Sequence, residues 1–284
     1  MTAQAPDDLL GDAVDYGLFG PDSVTWRVHA EPSLWIGGLR ALFLQALHPL
    51  AMAGVAQHSV FENDWWGRLY RTGEYVGLTT YGTTQQAHDI AAHVRRAHRG
   101  LKGVEPESGE KYVVGDPKLL VWVHCGQVDS FLTSTRRSGL RLTDAEADTY
   151  VAEQTVAAAL VGIPTRLIPQ DVGELAAYFD EVRPELRATA AARQGARRLL
   201  VPPMPKRVVA LTPARPAWAL LAALSFGSLP AWARRMYGLP GLPLADFGAT
   251  VTSRALSTAV RTLPESLREG PHLRAARERL AAAG

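Results

Sequence analysis

The chain has 284 residues, of which 47% are hydrophobic and 20% charged, a balance that excludes wholesale disorder and a polytopic membrane protein. Its formal charge of +2 excludes the clustered cationic face of a nucleic-acid binder. Cys125 is the single cysteine, which excludes an intramolecular disulfide and a cysteine zinc cluster, so a reducing cytoplasm is the expected compartment.

In chain order, the first residues, MTAQAPDDLLGDAVDYG, are acidic and lack the basic-then-apolar pattern of a secretory signal. From there apolar residues recur at helical spacing, and no β-branched alternation is long enough to build a sheet, so the expected fold is all-α in one multi-helix domain. Helices are expected over 22–30, 33–48 and 50–58, with Pro32 and Pro49 as breaks. The apolar stretch Leu34 to Ala56 carries Arg40, Gln45, His48 and Pro49 and so reads as buried helix rather than a bilayer span. Helices over 64–72 and 84–102 flank the glycine- and threonine-rich GEYVGLTTYGT, read as a covering loop. Asp116 and Pro117 cap and open the helix that carries LLVWVHCGQVDSFL, and Thr143 with Glu146 forms a capping-box pattern for the next, which stops near Gly162 and Pro164.

Further helices are expected over 171–199, 215–227, 230–237, 244–262 and 264–281. The proline-dense Leu199 to Pro216 marks a boundary between a helical body, 1–200, and a C-terminal helical cap of the same domain, 201–284. Ala217 to Leu229 is apolar but short, a length that suits a core helix or an interfacial segment.

Eight histidines occur, and each needs a reason before it becomes a ligand. His93 and His98 lie roughly 140° apart around one helix, too far to share a metal. His-Glu-x-x-His, phosphate-binding glycine loops and a Gly-x-Ser-x-Gly elbow are absent from the sequence, and Glu-x-x-His occurs once, at Glu269 and His272, where a di-iron bundle needs it on two helices. What remains is a cofactor that asks for one histidine, such as haem. Structural readings stand beside each residue of interest. His98 can be a surface histidine, and Arg68 and Arg71 can pair with Glu62, Asp64 or Glu74. Thr72 can bond its own backbone, His48 can be a core histidine, and Asp129 and Ser130 after His124 read as a hydrogen-bond network more readily than as a catalytic triad.

Several motifs occur in order: Arg27-x-x-x-Glu31, LRALFLQALHPLAMAGVAQHS, Arg68-Leu-Tyr-Arg71-Thr72, His98-Arg-Gly-Leu-Lys-Gly103, DPKLLVWVHCGQVDSFL, LTDAEADTYVAEQ and a VGIP turn. Together, from Arg27 to Tyr178, they resemble the haem-containing oxygenases typified by the rubber oxygenase catalytic domain and the endoplasmic-reticulum-bound oxygenase of mycophenolic acid biosynthesis. The resemblance implies a globin-like helical core, haem b held through its iron by His98, and Arg68 and Thr72 on the opposite face. It implies oxidation or cleavage of a hydrophobic, alkene-bearing small molecule by dioxygen, with Arg68, Arg71 and Thr72 as the catalytic side chains. Rubber itself is not the expected substrate, since no export signal is read. Arg71 stands where rubber oxygenases have a lysine able to reach the iron, Gly103 stands where they have another histidine, and their glutamate near the haem has no match. The rival readings are a haem-binding sensor or carrier without turnover, and a cofactor-free helical protein that meets a partner or a membrane surface through Ala217–Leu229.

Overall fold

The computed structural model describes residues 14–59 and 64–283. Among them are fifteen α-helices and two three-residue strands, and the protein is an all-α single domain, 70% helical. After α1 (Val24–His29), the helices α2 (Leu34–Gln45) and α3 (Pro49–His58) follow. Pro49 opens α3 in its first turn, where its missing N–H costs nothing. No single helix among the described residues is long and apolar enough to cross a membrane, and α2 and α3 meet at a bend of 103°.

The most extensive helix pairing is between α2 and α6 (Pro117–Arg137). The two backbones come close at Gly37, where a Cβ would stand 3.0 Å from Phe131 Cδ1 and 3.1 Å from the Ser130 carbonyl oxygen. Around this pair lies the main core, where Phe43, Leu47, Trp122, Val128 and Tyr150 are closed off from solvent. Asp116 caps α6 through the Lys118 N–H, and Thr143 and Glu146 complete both bonds of the capping box that starts α7 (Asp144–Leu160). The same core takes in Phe179 of α8 (Val172–Val182), Leu199 of α9 (Ala190–Leu200), Ala222 of α11 (Ala214–Gly227) and Ala233 of α12 (Ala231–Met236).

Four expectations need correction. Residues 73–81 are not a loop: α4 runs unbroken from Trp65 to Tyr81. Tertiary contacts override the weak helix propensity of its glycines and threonines. Gly77 leaves room for the ring of His272 and Thr80 is buried against His29, while within the helix the Thr79 hydroxyl donates to the Tyr75 carbonyl at 2.8 Å. The helix after it, α5 (Thr84–His98), stops four residues short of the expected end. Arg99 is extended and Gly100 takes a positive φ of 74°, so the chain turns into a small antiparallel hairpin. Its strands β1 (Lys102–Val104) and β2 (Lys111–Val113) pair Gly103 with Tyr112. The helix expected over 171–199 is interrupted at Pro184 in a 3-10 turn, because proline removes a backbone donor.

The proline-dense connection contains α10 (Lys206–Leu211). Beyond α13 (Pro243–Arg261), the final helical stretch breaks at Gly270–Pro271 into α14 (Glu265–Arg268) and α15 (Pro271–Ala283). Ala217–Leu229 is built as a core helix: Ala222, Leu224 and Leu229 are buried, and Trp218 Nε1 donates to the Leu199 carbonyl at 2.7 Å. Leu220 is the large apolar side chain that it exposes.

Candidate active site on the α4–α5 hairpin

Helices α4 and α5 pack together and are joined only by Gly82 and Thr83. Thr83 accepts from the Gln86 N–H, and the Gln86 side chain accepts from the Thr83 N–H, which locks the start of α5. Arg68 lies fourteen residues before Gly82 and His98 fifteen residues after Thr83. With equal rise per residue in both arms, the two residues lie at similar distances from the link along their own helices.

On α4, Trp65, Arg68, Leu69 and Thr72 share a pocket with Leu42 of α2. Burial and then the neighbouring charge of Arg71 lower the Arg68 pKa from its usual value. Two turns along the same face, burial pushes the Tyr75 phenol up to about 12. The Thr72 hydroxyl donates to the Arg68 carbonyl at 3.0 Å, which is the local backbone bond weighed above. Arg71 turns outward: its Nη1 lies 3.0 Å from Asp64 Oδ2, and both side chains are about half exposed, at 50% and 49%. Of the three candidate side chains on α4, Arg68 and Thr72 therefore share the pocket and Arg71 does not. Phe61 to Asn63, including the alternative partner Glu62, lie outside the described residues.

His98 is the last residue of α5, half-buried. It stands on the neighbouring helix, outside the walls of the α4 pocket. Burial lowers its pKa, and its ring makes no hydrogen bond among the described residues. His98 is thus held as neutral imidazole with both ring nitrogens available. Among the described residues no three His, Cys, Asp or Glu side chains converge as metal ligands.

Two other histidines are more deeply embedded than the sequence suggests. His124 of α6, half-buried, is depressed to about 4 by burial alone and has no hydrogen-bond partner among the described residues. His29 is fully engaged: Nδ1 lies 2.7 Å from Thr80 Oγ1 and Nε2 lies 3.0 Å from Tyr150 Oη, and burial lowers its pKa to about 3. The role of His29 is not legible in spacing, because its partners come from α4 and α7.

The triad-like set on α6 resolves into structure. Arg40, 2% exposed, donates from Nη1 to Asp129 Oδ2 and to Ser130 Oγ, each at 2.7 Å, and from Nε to the Ser228 carbonyl at 3.2 Å. His124 takes no part in that network. His48 is a core histidine with no hydrogen bond among the described residues: Nδ1 is buried without a partner, and Nε2 stands 3.8 Å from Glu185 Oε2, beyond hydrogen-bond reach.

The model of a known family, described as "ER-bound oxygenase mpaB/B'/Rubber oxygenase, catalytic domain", matches residues 26–262, well beyond the motifs that end at Tyr178. No curated protein and no solved structure matches the chain. A family model that covers most of the sequence, including both arms of the α4–α5 hairpin, settles membership: the chain belongs to the family of the ER-bound oxygenase mpaB/B' and rubber oxygenase catalytic domain.

Proposed function

We propose that this oxygenase domain depends on haem b and uses dioxygen to oxidise or cleave a hydrophobic, alkene-bearing small molecule, with His98 as the ligand to the iron. The observation that carries the reading is a half-buried, neutral imidazole at His98, with no hydrogen bond among the described residues, on the helix that packs against the one bearing the desolvated guanidinium of Arg68. The donor set fits the cofactor, since haem asks the protein for one neutral imidazole and a polar group near its other face. When bound, haem supplies the iron at which dioxygen is activated.

Arg68 keeps its positive charge at any working pH and, in a site that excludes water, stabilises negative charge that develops on oxygen. Thr72 has one hydroxyl proton and already gives it to the Arg68 carbonyl, so its free lone pairs accept rather than donate. The donor role therefore rests on Arg68, and Thr72 orients a protonated group. Leu42, Trp65 and Leu69 give the pocket an apolar wall around a volume of about 10 Å³, room for one water-sized group beside Arg68 and not for the substrate itself. Arg71 is assigned no chemical role because its guanidinium is committed to Asp64 at the surface.

Expression with haem supplementation tests this directly. The wild-type protein is expected to show a Soret band that His98→Ala abolishes, while His124→Ala and Arg71→Ala retain it. Arg68→Ala should keep the band and lose most oxygen uptake with terpenoid alkenes. A colourless wild-type protein, or a band lost in His124→Ala and kept in His98→Ala, overturns the assignment. A band without oxygen uptake on any alkene would instead support the non-catalytic carrier.

A further inference from the structure

A second concave site lies away from the hairpin, where the turn that follows α6 meets α13. It is a cleft of about 410 Å³, walled by Arg136, Ser138, Arg141, Arg254, Thr258 and Arg261. That volume falls within the roughly 300–1,000 Å³ of small-molecule sites. We propose that this cleft binds a phosphate-bearing anion, either a soluble phosphate ester or the head group of a phospholipid.

Charge accounting supports it. Arg136 is paired with Asp144 and Arg261 with Glu31, and the nearby Glu146 is committed to Arg27. Arg141 and Arg254 have no carboxylate partner among the described residues. Arg254 uses only Nε, which donates to the Arg137 carbonyl at 3.1 Å, leaving the outer edge of its guanidinium to the cleft. Two uncompensated guanidiniums in one concavity, beside two more, match the several oxygens of a phosphate through forked, charge-assisted bonds.

The C-terminal end of a helix ordinarily repels anions. Here that effect is blunted, because the last carbonyls of α6 are all engaged: Ser134 by the Ser138 N–H, Arg136 by the Gly139 N–H, Thr135 by the Leu140 N–H and Arg137 by Arg254.

Ser138 provides independent support. It caps α6, is 1% exposed and lies in the cleft wall, yet its Oγ has no hydrogen-bond partner among the described residues. A buried hydroxyl left without a partner is unfavourable, and Ser138 thus carries a donor that no protein acceptor among the described residues takes up. A phosphate oxygen supplies such an acceptor. Gly139, with φ +101°, carries the chain past this point, and a Cβ built on it would lie 3.9 Å from Arg261 Nη1. The turn therefore holds Ser138 and Arg261 on one wall.

The test titrates the full-length protein with pyrophosphate by calorimetry and, separately, sediments it with phosphatidylcholine vesicles with and without phosphatidic acid. The double variant Arg141→Gln/Arg254→Gln is expected to weaken whichever binding occurs by roughly tenfold or more, whereas the charge-matched control Arg166→Gln/Arg215→Gln leaves it intact. Pyrophosphate binding identifies a soluble ligand, and binding only to phosphatidic acid vesicles identifies a head group. In wild-type protein, whichever ligand binds should protect Arg141 and Arg254 from phenylglyoxal, a reading that does not depend on folding of the variants. Absence of both kinds of binding, equal loss in the control, or labelling of Arg141 and Arg254 unaffected by ligand overturns the proposal.

Discussion

Gly77→Ala should reveal how firmly the last helix is set against the arm that carries Arg68. On Gly77 a Cβ would stand 2.2 Å from Cδ2 of His272 and 2.8 Å from its Cγ, where ordinary carbon contacts need about 3.5–4 Å. Either the imidazole swings away or α15 shifts, and crowding of this kind costs about 1–3 kcal/mol. Alanine also favours the helix by about 1 kcal/mol over glycine, so the single substitution is expected to destabilise by about 0–2 kcal/mol. In a His272→Ala background the obstacle is gone, and the same change should stabilise by about 1 kcal/mol. Urea unfolding of the four proteins then gives a coupling of about 1–3 kcal/mol. If Gly77→Ala has the same effect in both backgrounds to within about 0.5 kcal/mol, the packing argument fails.

Arg40→Met should lower stability by about 3–5 kcal/mol in the same assay, because it strands Asp129 beside a buried hydroxyl and carbonyl; a loss below about 1 kcal/mol would contradict the network described. The protein should also weaken on mild acidification. His29 has a folded pKa lowered to about 3 from 6.5, so below pH 6.5 the unfolded chain binds a proton that the native state refuses. The contribution is complete above pH 6.5 and declines as pH falls towards 3, with a ceiling on the order of 4–5 kcal/mol. His124, lowered to about 4, acts in the same direction. The urea midpoint should fall between pH 7 and pH 5, where carboxylates held below their usual range contribute little, and it should fall less in His29→Gln. A flat midpoint across that window refutes the assignment.

Signals that act within a few residues of themselves were readable from the sequence. Asp116 with Pro117 and the pair Thr143 and Glu146 mark their helix starts because the bonds they make are local. Residues 73–81 were misleading for the opposite reason: the groups that hold them helical, His272 and His29, come from distant parts of the chain. At the candidate site, the identities of Arg68, Thr72 and His98 could be read from motif order. The diversion of Arg71 to Asp64 and the commitment of the Thr72 proton could not, since each depends on which way one side chain turns. The Arg40 network joins α2, α6 and the carbonyl of Ser228, and nothing in local sequence announces a cluster assembled from three separate segments.

The tight link between α4 and α5 turns chain length into a mechanical dimension. One residue inserted between Arg68 and Gly82 would advance that arm by about 1.5 Å and rotate it by about 100°, carrying the guanidinium away from Leu42 while His98 stayed where it was. An insertion of the same length between Thr83 and His98 would displace the imidazole and leave the arginine fixed. The separation of thirty residues from Arg68 to His98 therefore behaves as a folded ruler whose halves must match. An engineered lengthening should preserve the proposed pairing of Arg68 with His98 only when both halves grow by the same whole number of turns.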